Sequence, residues 1–147
     1  MSIRELISPA TVSLDLRART ADEAFVELGG LLEAAGVVSD LNRYLGAVRE
    51  REAKGTTAVG FGVAIPHGKS AGVLRAGIAF GRANHDLVWE SLDGEPVRMV
   101  FLIAAPEGAN DLHLRALSQL ARQLMHAEFR TRLTTARTPS DLLEGIQ

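Results

Sequence analysis

Four histidines occur in the sequence, and His67 has the surroundings best suited to nucleophilic chemistry. It directly follows Pro66 in a glycine-rich stretch between Gly55 and Gly68. Proline restricts the backbone before the histidine, while glycines allow another molecule to approach closely. A neutral imidazole can attack phosphorus with one ring nitrogen while the other donates a hydrogen bond that fixes the tautomer. These residues favour a phosphoryl acceptor, and a solvent-exposed loop histidine is the ordinary alternative.

His113 is the second candidate. It lies on a helix predicted to begin near Asn110, on the face that also carries Leu117, Leu120 and Leu124. The helix macrodipole disfavours an imidazolium near a helix N-terminus, so a neutral His113 can donate a hydrogen bond to an anion there. The alternative is a histidine hydrogen-bonded within the core.

Arg51 is the third candidate, at the end of another predicted helix. Its guanidinium has the planar geometry that binds phosphate oxygens in pairs. The alternative is a solvated surface charge.

Two other kinds of site find less support. Gly68-Lys69-Ser70 matches the end of a phosphate-binding P-loop, but that pattern needs a glycine where this chain has Val63. Pro66 also lacks the amide N–H through which such a loop binds phosphate. A metal site is not expected, because no helical His-x-x-x-His or Glu-x-x-His pair occurs among the three histidines in question, His67, His113 and His126.

Composition narrows the class of protein. The formal charge is −2 with Lys and Arg spread along the chain, so neither nucleic acid nor an anionic membrane is an expected partner. The absence of cysteine rules out disulfides and thiol nucleophiles and fits a reducing compartment, so we expect a cytoplasmic protein. Arg4 and Glu5 stand where a signal peptide would be apolar, and no apolar stretch approaches membrane-spanning length. Neither export nor membrane insertion is therefore expected.

The first half of the chain predicts one strand and two helices ahead of the glycine-rich stretch. Thr11–Leu16 alternates polar and apolar residues, as a half-buried strand does. Thr20 begins a capping-box pattern for a helix that stops at Gly36. Ser39 and Asp40 can cap a second helix that ends near Arg51.

The second half predicts two strands and three helices. Arg75–Phe80 has a strand-like pattern, and the nearly continuous hydrophobicity of Val97–Ala104 indicates a central strand buried on both faces. Helices are expected from Asn110 through Met125, from Glu128 to Thr135, and after Thr138-Pro139. No internal repeat or long linker interrupts this mixture, which predicts one domain over residues 1–147 with an α/β or α+β layered fold.

Several motifs together resemble the fructose/mannitol-type IIA domain of the bacterial sugar phosphotransferase system, over nearly the whole chain. They are Arg51-Glu52, Gly55-Thr56-Thr57, the run from Gly60 to His67, and Ala105-Pro106-Glu107-Gly108-Ala109-Asn110 followed by His113-Leu114. The arginine stands 67 − 51 = 16 residues before the first histidine, and the second histidine 113 − 67 = 46 residues after it. Ser91-Leu92-Asp93-Gly94 and the Ala105–Asn110 stretch are closer to the fructose branch than to the nitrogen-regulatory branch.

The resemblance implies an α/β sandwich with a mixed central sheet flanked by helices. It implies that His67 becomes a tele-phosphohistidine, accepting phosphate from the carrier protein HPr and passing it to a cysteine of a IIB domain. Arg51 would neutralise the transferring group, His113 would hydrogen-bond it, and Thr57 would help to hold the site. No cofactor is implied. The IIB partner must be another polypeptide or domain, because this chain has no cysteine, and a membrane IIC component would complete the system.

Three functions stay open at this point. The first is a phosphocarrier in fructose-type sugar uptake. The second is a nitrogen-regulatory-type protein that binds partner proteins according to its phosphorylation state. The third is a non-catalytic module that binds an anion in its glycine loop.

Phe61 departs from the resemblance, since a small polar residue such as asparagine or aspartate is common between these glycines. A phosphohistidine must survive until its acceptor arrives, so we expect an apolar rim around His67. The sequence offers Phe61, Val63 and Ile65 for that rim.

Overall fold

The computed structural model describes residues 2–109 and 111–146, which form six strands and six α-helices. The strands are β1 (Val12–Ser13), β2 (Ala58–Gly60), β3 (Val63–Ala64), β4 (His67–Ser70), β5 (Gly77–Leu87) and β6 (Val97–Pro106). The helices are α1 (Ile3–Leu6), α2 (Ala21–Ala34), α3 (Leu41–Ala53), α4 (Leu112–Leu124), α5 (Ala127–Thr135) and α6 (Pro139–Glu144), with a 3₁₀ turn at Pro9–Thr11. Within these described ranges, no helix has the length and apolar character needed to cross a membrane.

The described strands form one mixed sheet in the order β1-β5-β6-β3-β2, with β4 also paired to β6. β5 runs antiparallel to β6, whereas β3 and β4 both run parallel to it, one after the other along its opposite edge. β6 is therefore the central strand, as its continuous hydrophobicity predicted.

Helices cover both faces of this sheet, which confirms the expected α/β sandwich. Alternate residues of β6 enter two separate cores, as the period-two geometry of a strand requires. The first core lies against α2 and α3 and takes Val100, Leu102 and Ala104. The second lies against α1, α4, α5 and α6 and takes Met99, Phe101 and Ile103.

The predicted helix starts are mostly confirmed by side-chain caps. The side chains of Thr20, Asp40 and Thr138 each accept a hydrogen bond from the backbone N–H three residues later. The proposed cap at Asn110 lies outside the described residues. α4 begins at Leu112 after Asp111, whose side chain makes no capping bond.

The strand boundaries differ from the predictions. β1 covers only Val12–Ser13, because the 3₁₀ turn takes up Thr11 and only two residues pair with β5. β5 begins two residues later than predicted and continues to Leu87, since β6 offers a long partner edge. His67 was expected in a loop but is the first residue of β4, paired with Ile103 of the central strand.

Gly68 lets α3 pack directly on β4. A Cβ at this position would lie 2.9 Å from Val48 Cγ2 and 3.1 Å from the Val48 backbone nitrogen. The missing side chain thus sets the distance between the helix that carries Arg51 and the strand that carries His67.

A two-residue turn joins β2 to β3. Its central residues, Phe61 and Gly62, have φ angles of 59° and 75°. Tight hairpin turns of the primed type need positive φ at both positions, which asparagine tolerates better than phenylalanine. The ring of Phe61 lies under the guanidinium of Arg130, whose Cζ is 4.2 Å from the ring centroid.

Candidate active site

A shallow depression of about 390 Å³ brings together three of the predicted site residues, His67, His113 and Arg51. They come from three separate elements: the start of β4, the first turn of α4 and the last turn of α3. The central strand and the contact at Gly68 hold the first and third of these elements in place. In the sequence, Arg51 lies 16 residues before His67 and His113 lies 46 residues after it.

His67 is held in one tautomer. Its Nδ1 lies 3.0 Å from the carbonyl oxygen of Ile65, two residues earlier in the chain. A carbonyl oxygen only accepts hydrogen bonds, so Nδ1 must carry the proton. In the neutral ring, Nε2 then has a free electron pair, which is the requirement for a nucleophile.

The surroundings of His67 keep it neutral. Partial burial is the largest cause that lowers the pKa of His67 below 6.5, and the positive charge of Arg51 and the nearby His113 lower it further. The hydrogen bond to Ile65 and the carboxylate of Glu52 act in the opposite direction without reversing the shift. The nucleophilic form is therefore the main one at neutral pH.

The ring of His113 lies beside that of His67, with 6.2 Å between the ring centroids. Burial, followed by the charge of Lys69, lowers the pKa of His113, so this ring is also neutral at pH 7. Its buried Nδ1 has no hydrogen-bond partner among the residues that the structure describes. Buried polar atoms in folded proteins are nearly always hydrogen-bonded, so within the described part of the chain this ring has unused bonding capacity beside His67.

Positive charge dominates the depression. Arg51 donates one N–H to the carbonyl oxygen of Gly55 at 2.8 Å, which anchors the side chain. The other N–H groups of the guanidinium take no part in that bond. Lys54 and Lys69 line the same surface. Among the described residues that line it, Glu50 carries the one carboxylate. Sequence reasoning did not select Lys69, although a strand places residues i and i+2 on one face and so pairs it with His67.

Thr57 supports the site from behind rather than lining it. It is buried, and its hydroxyl donates to Glu52 Oε1 at 2.6 Å, so that group is already engaged. Its carbonyl oxygen accepts a hydrogen bond from the backbone of Ile65 at 2.9 Å. The role of Thr57 toward phosphate stays a prediction, and its contacts are those of a support for the loop before His67.

The apolar rim expected from Phe61, Val63 and Ile65 is wrong. Val63 and Ile65 are buried in the second core and are not available to an incoming molecule. Phe61 is exposed but lies toward the other end of the sheet, because the neighbouring Gly62 bonds to Arg98 whereas His67 pairs with Ile103. Along β6, the five residue steps from Arg98 to Ile103 span about 16 Å. An exposed apolar side chain that does line the depression is Leu114.

The remaining histidines lie away from this depression. His85 Nε2 is 2.7 Å from the carbonyl oxygen of Ala18, and His126 is an exposed residue at the start of α5. Across residues 2–109 and 111–146, no group of three or more His, Cys, Asp or Glu side chains is arranged to hold a metal ion.

Comparison with known proteins gives a consistent family. The family model described as "Phosphoenolpyruvate-dependent sugar phosphotransferase system, EIIA 2" matches residues 5–147. A "PTS system fructose-specific EIIABC component" of Bacillus subtilis is 40% identical over 146 residues, which are 99% of this chain and 23% of that protein. A "Nitrogen regulatory protein" of Bradyrhizobium diazoefficiens is 38% identical over 138 residues, 93% of this chain and 89% of that protein.

A solved structure gives the same result for the fold. The nitrogen regulatory protein IIA-Ntr of Neisseria meningitidis superimposes with a TM-score of 0.90 at 32% identity, over 99% of both chains. The chain thus spans about a quarter of its Bacillus subtilis relative but nearly the full length of the two regulatory relatives.

Proposed function

Because this chain belongs to the EIIA 2 family of the phosphoenolpyruvate-dependent sugar phosphotransferase system, we propose that residues 1–147 act as one phosphocarrier domain in which His67 is the phosphoryl acceptor. Members of this family are phosphotransferase components. The observation that carries the proposal is the hydrogen bond from His67 Nδ1 to Ile65, which leaves Nε2 as the nucleophilic nitrogen.

The first step transfers the phosphoryl group from a phosphohistidine of the donor HPr. The electron pair on His67 Nε2 attacks phosphorus, the new N–P bond forms, and the N–P bond to the donor breaks with its electron pair returning to the donor nitrogen. No cofactor enters this balance. The proton stays on Nδ1, hydrogen-bonded to the Ile65 carbonyl oxygen, and this bond stabilises the positive charge that the ring gains during the attack.

The surrounding charges fit this step. A phosphoryl group in transfer spreads negative charge over its nonbridging oxygens, so a protein contributes mainly positioning and positive charge. Arg51, with the two lysines of the depression, supplies the charge. His113 supplies a neutral ring with unused hydrogen-bonding capacity.

The second step passes the group to a thiolate of a IIB domain. The sulfur attacks phosphorus, the S–P bond forms, and the N–P bond breaks so that Nε2 recovers its electron pair. The acceptor must lie in another polypeptide or another domain, because this chain contains no cysteine. We place the exchange in the cytoplasm, next to a membrane IIC component.

The test is phosphorylation in a purified system. Incubation with phosphoenolpyruvate, enzyme I and HPr should add one acid-labile phosphate to the wild-type chain and none to His67→Ala. Phosphorylation at another residue, or an unmodified mass beside charged HPr, would contradict the proposal. The latter result is what a non-catalytic anion-binding module predicts.

A regulatory role is the second candidate, because two of the compared proteins that match nearly end to end are nitrogen regulatory proteins. Both candidates share the first phosphorylation step and differ in the second. A fructose-type transport component should lose its phosphate rapidly to a cysteine-containing IIB domain encoded beside it. A regulatory protein should keep the phosphate and bind a partner protein in only one phosphorylation state.

We favour the fructose-type role on the sequence of Ser91-Leu92-Asp93-Gly94 and of the Ala105–Asn110 stretch. Asp93 accepts hydrogen bonds from the backbone of Phe61 and of Glu95, so its contacts hold the turn between β2 and β3. That turn is remote from His67. The segment therefore indicates which branch of the family the chain resembles, and it takes no part in the phosphoryl transfer.

A further inference from the structure

A continuous chain of hydrogen bonds runs from Trp89, the single tryptophan of the sequence, to the nucleophile. The indole Nε1 of Trp89 donates to Glu52 Oε2 at 3.1 Å. Glu52 accepts two further bonds from Thr57, one from its backbone N–H at 2.9 Å and one from its hydroxyl at 2.6 Å. The Thr57 carbonyl holds the Ile65 amide, and the Ile65 carbonyl holds Nδ1 of His67.

The middle of this chain is best satisfied by a carboxylate. Three donors converge on the two oxygens of Glu52. The indole and the backbone N–H can only donate, and the Thr57 hydroxyl donates its proton here. A glutamine presents one oxygen and one N–H₂ group, so it can keep the two N–H donors on its oxygen while its N–H₂ donates to the Thr57 hydroxyl. The proton of that hydroxyl then loses its acceptor, which makes glutamine a partial replacement. Thr57 is only 3% exposed, so water cannot readily replace a lost partner there.

We propose that Glu52 is a positioning residue that fixes the tautomer of His67 through Thr57 and Ile65. This inference rests on the proposed function, since it explains how the nucleophilic nitrogen is kept free of a proton. Without Glu52, the buried donors of Thr57 must find other partners, and the Ile65 carbonyl moves with that segment. Nδ1 then loses its acceptor, and the ring populates the tautomer that carries the proton on Nε2 and cannot attack phosphorus.

Glu27 offers a matched control. Its carboxylate also accepts backbone hydrogen bonds from a preceding segment, from Arg17 at 3.1 Å and Ala18 at 2.8 Å. It lies on α2 and is not among the residues that line the depression around His67. Glu27→Ala therefore removes the same kind of contact without touching the path to the nucleophile.

The tautomer itself is the direct readout. Nitrogen NMR of labelled His67 should show Nδ1 protonated and Nε2 bare in the wild type and in Glu27→Ala. In Glu52→Ala the Nε2-protonated form should appear, with Glu52→Gln between the two. Unchanged His67 tautomers in Glu52→Ala would overturn the inference, whether or not the chain is ever phosphorylated.

Transfer kinetics give a second, independent readout. The single-turnover rate at saturating phosphorylated HPr should fall about 10- to 100-fold in Glu52→Ala, the range found when a group that orients a metal-binding histidine is lost. The half-saturating HPr concentration should stay within about twofold, because Glu52 is not among the residues lining the depression. An equal loss of rate in Glu27→Ala would mean that general destabilisation explains the effect, which overturns the inference.

A pH profile distinguishes positioning from mere folding support. The negative charge of Glu52 raises the pKa of His67, so Glu52→Gln should move the midpoint of the rate profile to lower pH, while Glu27→Gln should not. If Glu52→Ala does not fold, Glu52→Gln and Thr57→Val, which removes only the 2.6 Å bond, carry the same tests. If the wild type is phosphorylated and these variants keep full activity, this inference alone is refuted. If the wild type is not phosphorylated, the proposed function is refuted.

Discussion

Replacing Gly68 by alanine tests whether the spacing between α3 and β4 sets the geometry of the active site. The added Cβ would lie 2.9 Å from Val48 Cγ2, and ordinary contacts begin at 3.4 Å, so the two elements must separate locally by about 3.4 − 2.9 = 0.5 Å. The Val48 backbone nitrogen at 3.1 Å and Ala47 Cβ at 3.3 Å limit how far a side-chain rotation alone can relieve this contact.

Two consequences follow from this separation. Overpacking of this kind typically lowers the free energy of unfolding by about 1–3 kcal/mol, which for a chain of this size lowers Tm by about 3–10 °C. Misplacement of reacting groups by 1 Å can reduce a rate about 100-fold, so 0.5 Å between the Arg51 and His67 elements should reduce phosphoryl transfer about tenfold.

The assay compares Gly68→Ala with two partner variants. Gly46→Ala, on the exposed side of α3 with no atom within 4 Å of the new Cβ, should keep full activity and gain about 0.5–1 kcal/mol from helix propensity. Adding Val48→Ala to Gly68→Ala removes the closest contact and should recover part of the transfer rate. Thermal unfolding and stopped-flow phosphorylation from HPr measure both effects. If Gly68→Ala matches Gly46→Ala in rate and stability, the close approach does not position the site.

Four further predictions address single groups. Arg51→Gln should slow phosphorylation about 10- to 100-fold by loss of a charge-assisted contact, and it should move the pH–rate midpoint upward because Arg51 lowers the pKa of His67; an unchanged midpoint would argue against that contact. Tyr44→Phe removes the buried hydroxyl that donates to the Ile103 carbonyl at 2.8 Å, so urea unfolding should show a loss of about 1 kcal/mol. Between pH 7 and pH 5 the free energy of unfolding should fall less in His67→Gln than in the wild type, because in the wild type the unfolded chain protonates His67 near pH 6.5 before the folded chain does. Parallel pH–stability curves would contradict this. Phe61→Asn should leave the transfer rate within about twofold, since the turn lies about 16 Å from His67 along β6, and a tenfold loss would contradict its remote position.

Local signals predicted much of the fold. The caps at Thr20, Asp40 and Thr138 and the hydrophobic run of β6 depend on contacts within a few residues, so their patterns could be read directly. β1 and β4 were predicted less well. Their extent depends on which partner strand lies alongside, and a partner far away in the sequence leaves no local pattern.

The candidate site divides in the same way. The residue types of His67, His113 and Arg51 and their spacing indicated the family, which the comparisons confirm. They also predicted the chemistry, because phosphoryl transfer needs a nucleophilic ring and a cation. The sequence alone therefore determined the family, and it predicted which groups react.

Only the tertiary structure decided how those groups are held. The proton on Nδ1 of His67, the engagement of Thr57 by Glu52 and the link to Trp89 are contacts between segments up to 37 residues apart. The displacement of Phe61 from the site follows from pairing along β6, and no sequence pattern carries that register. Such contacts depend on distances of a few tenths of an ångström between elements, which packing sets and residue types do not.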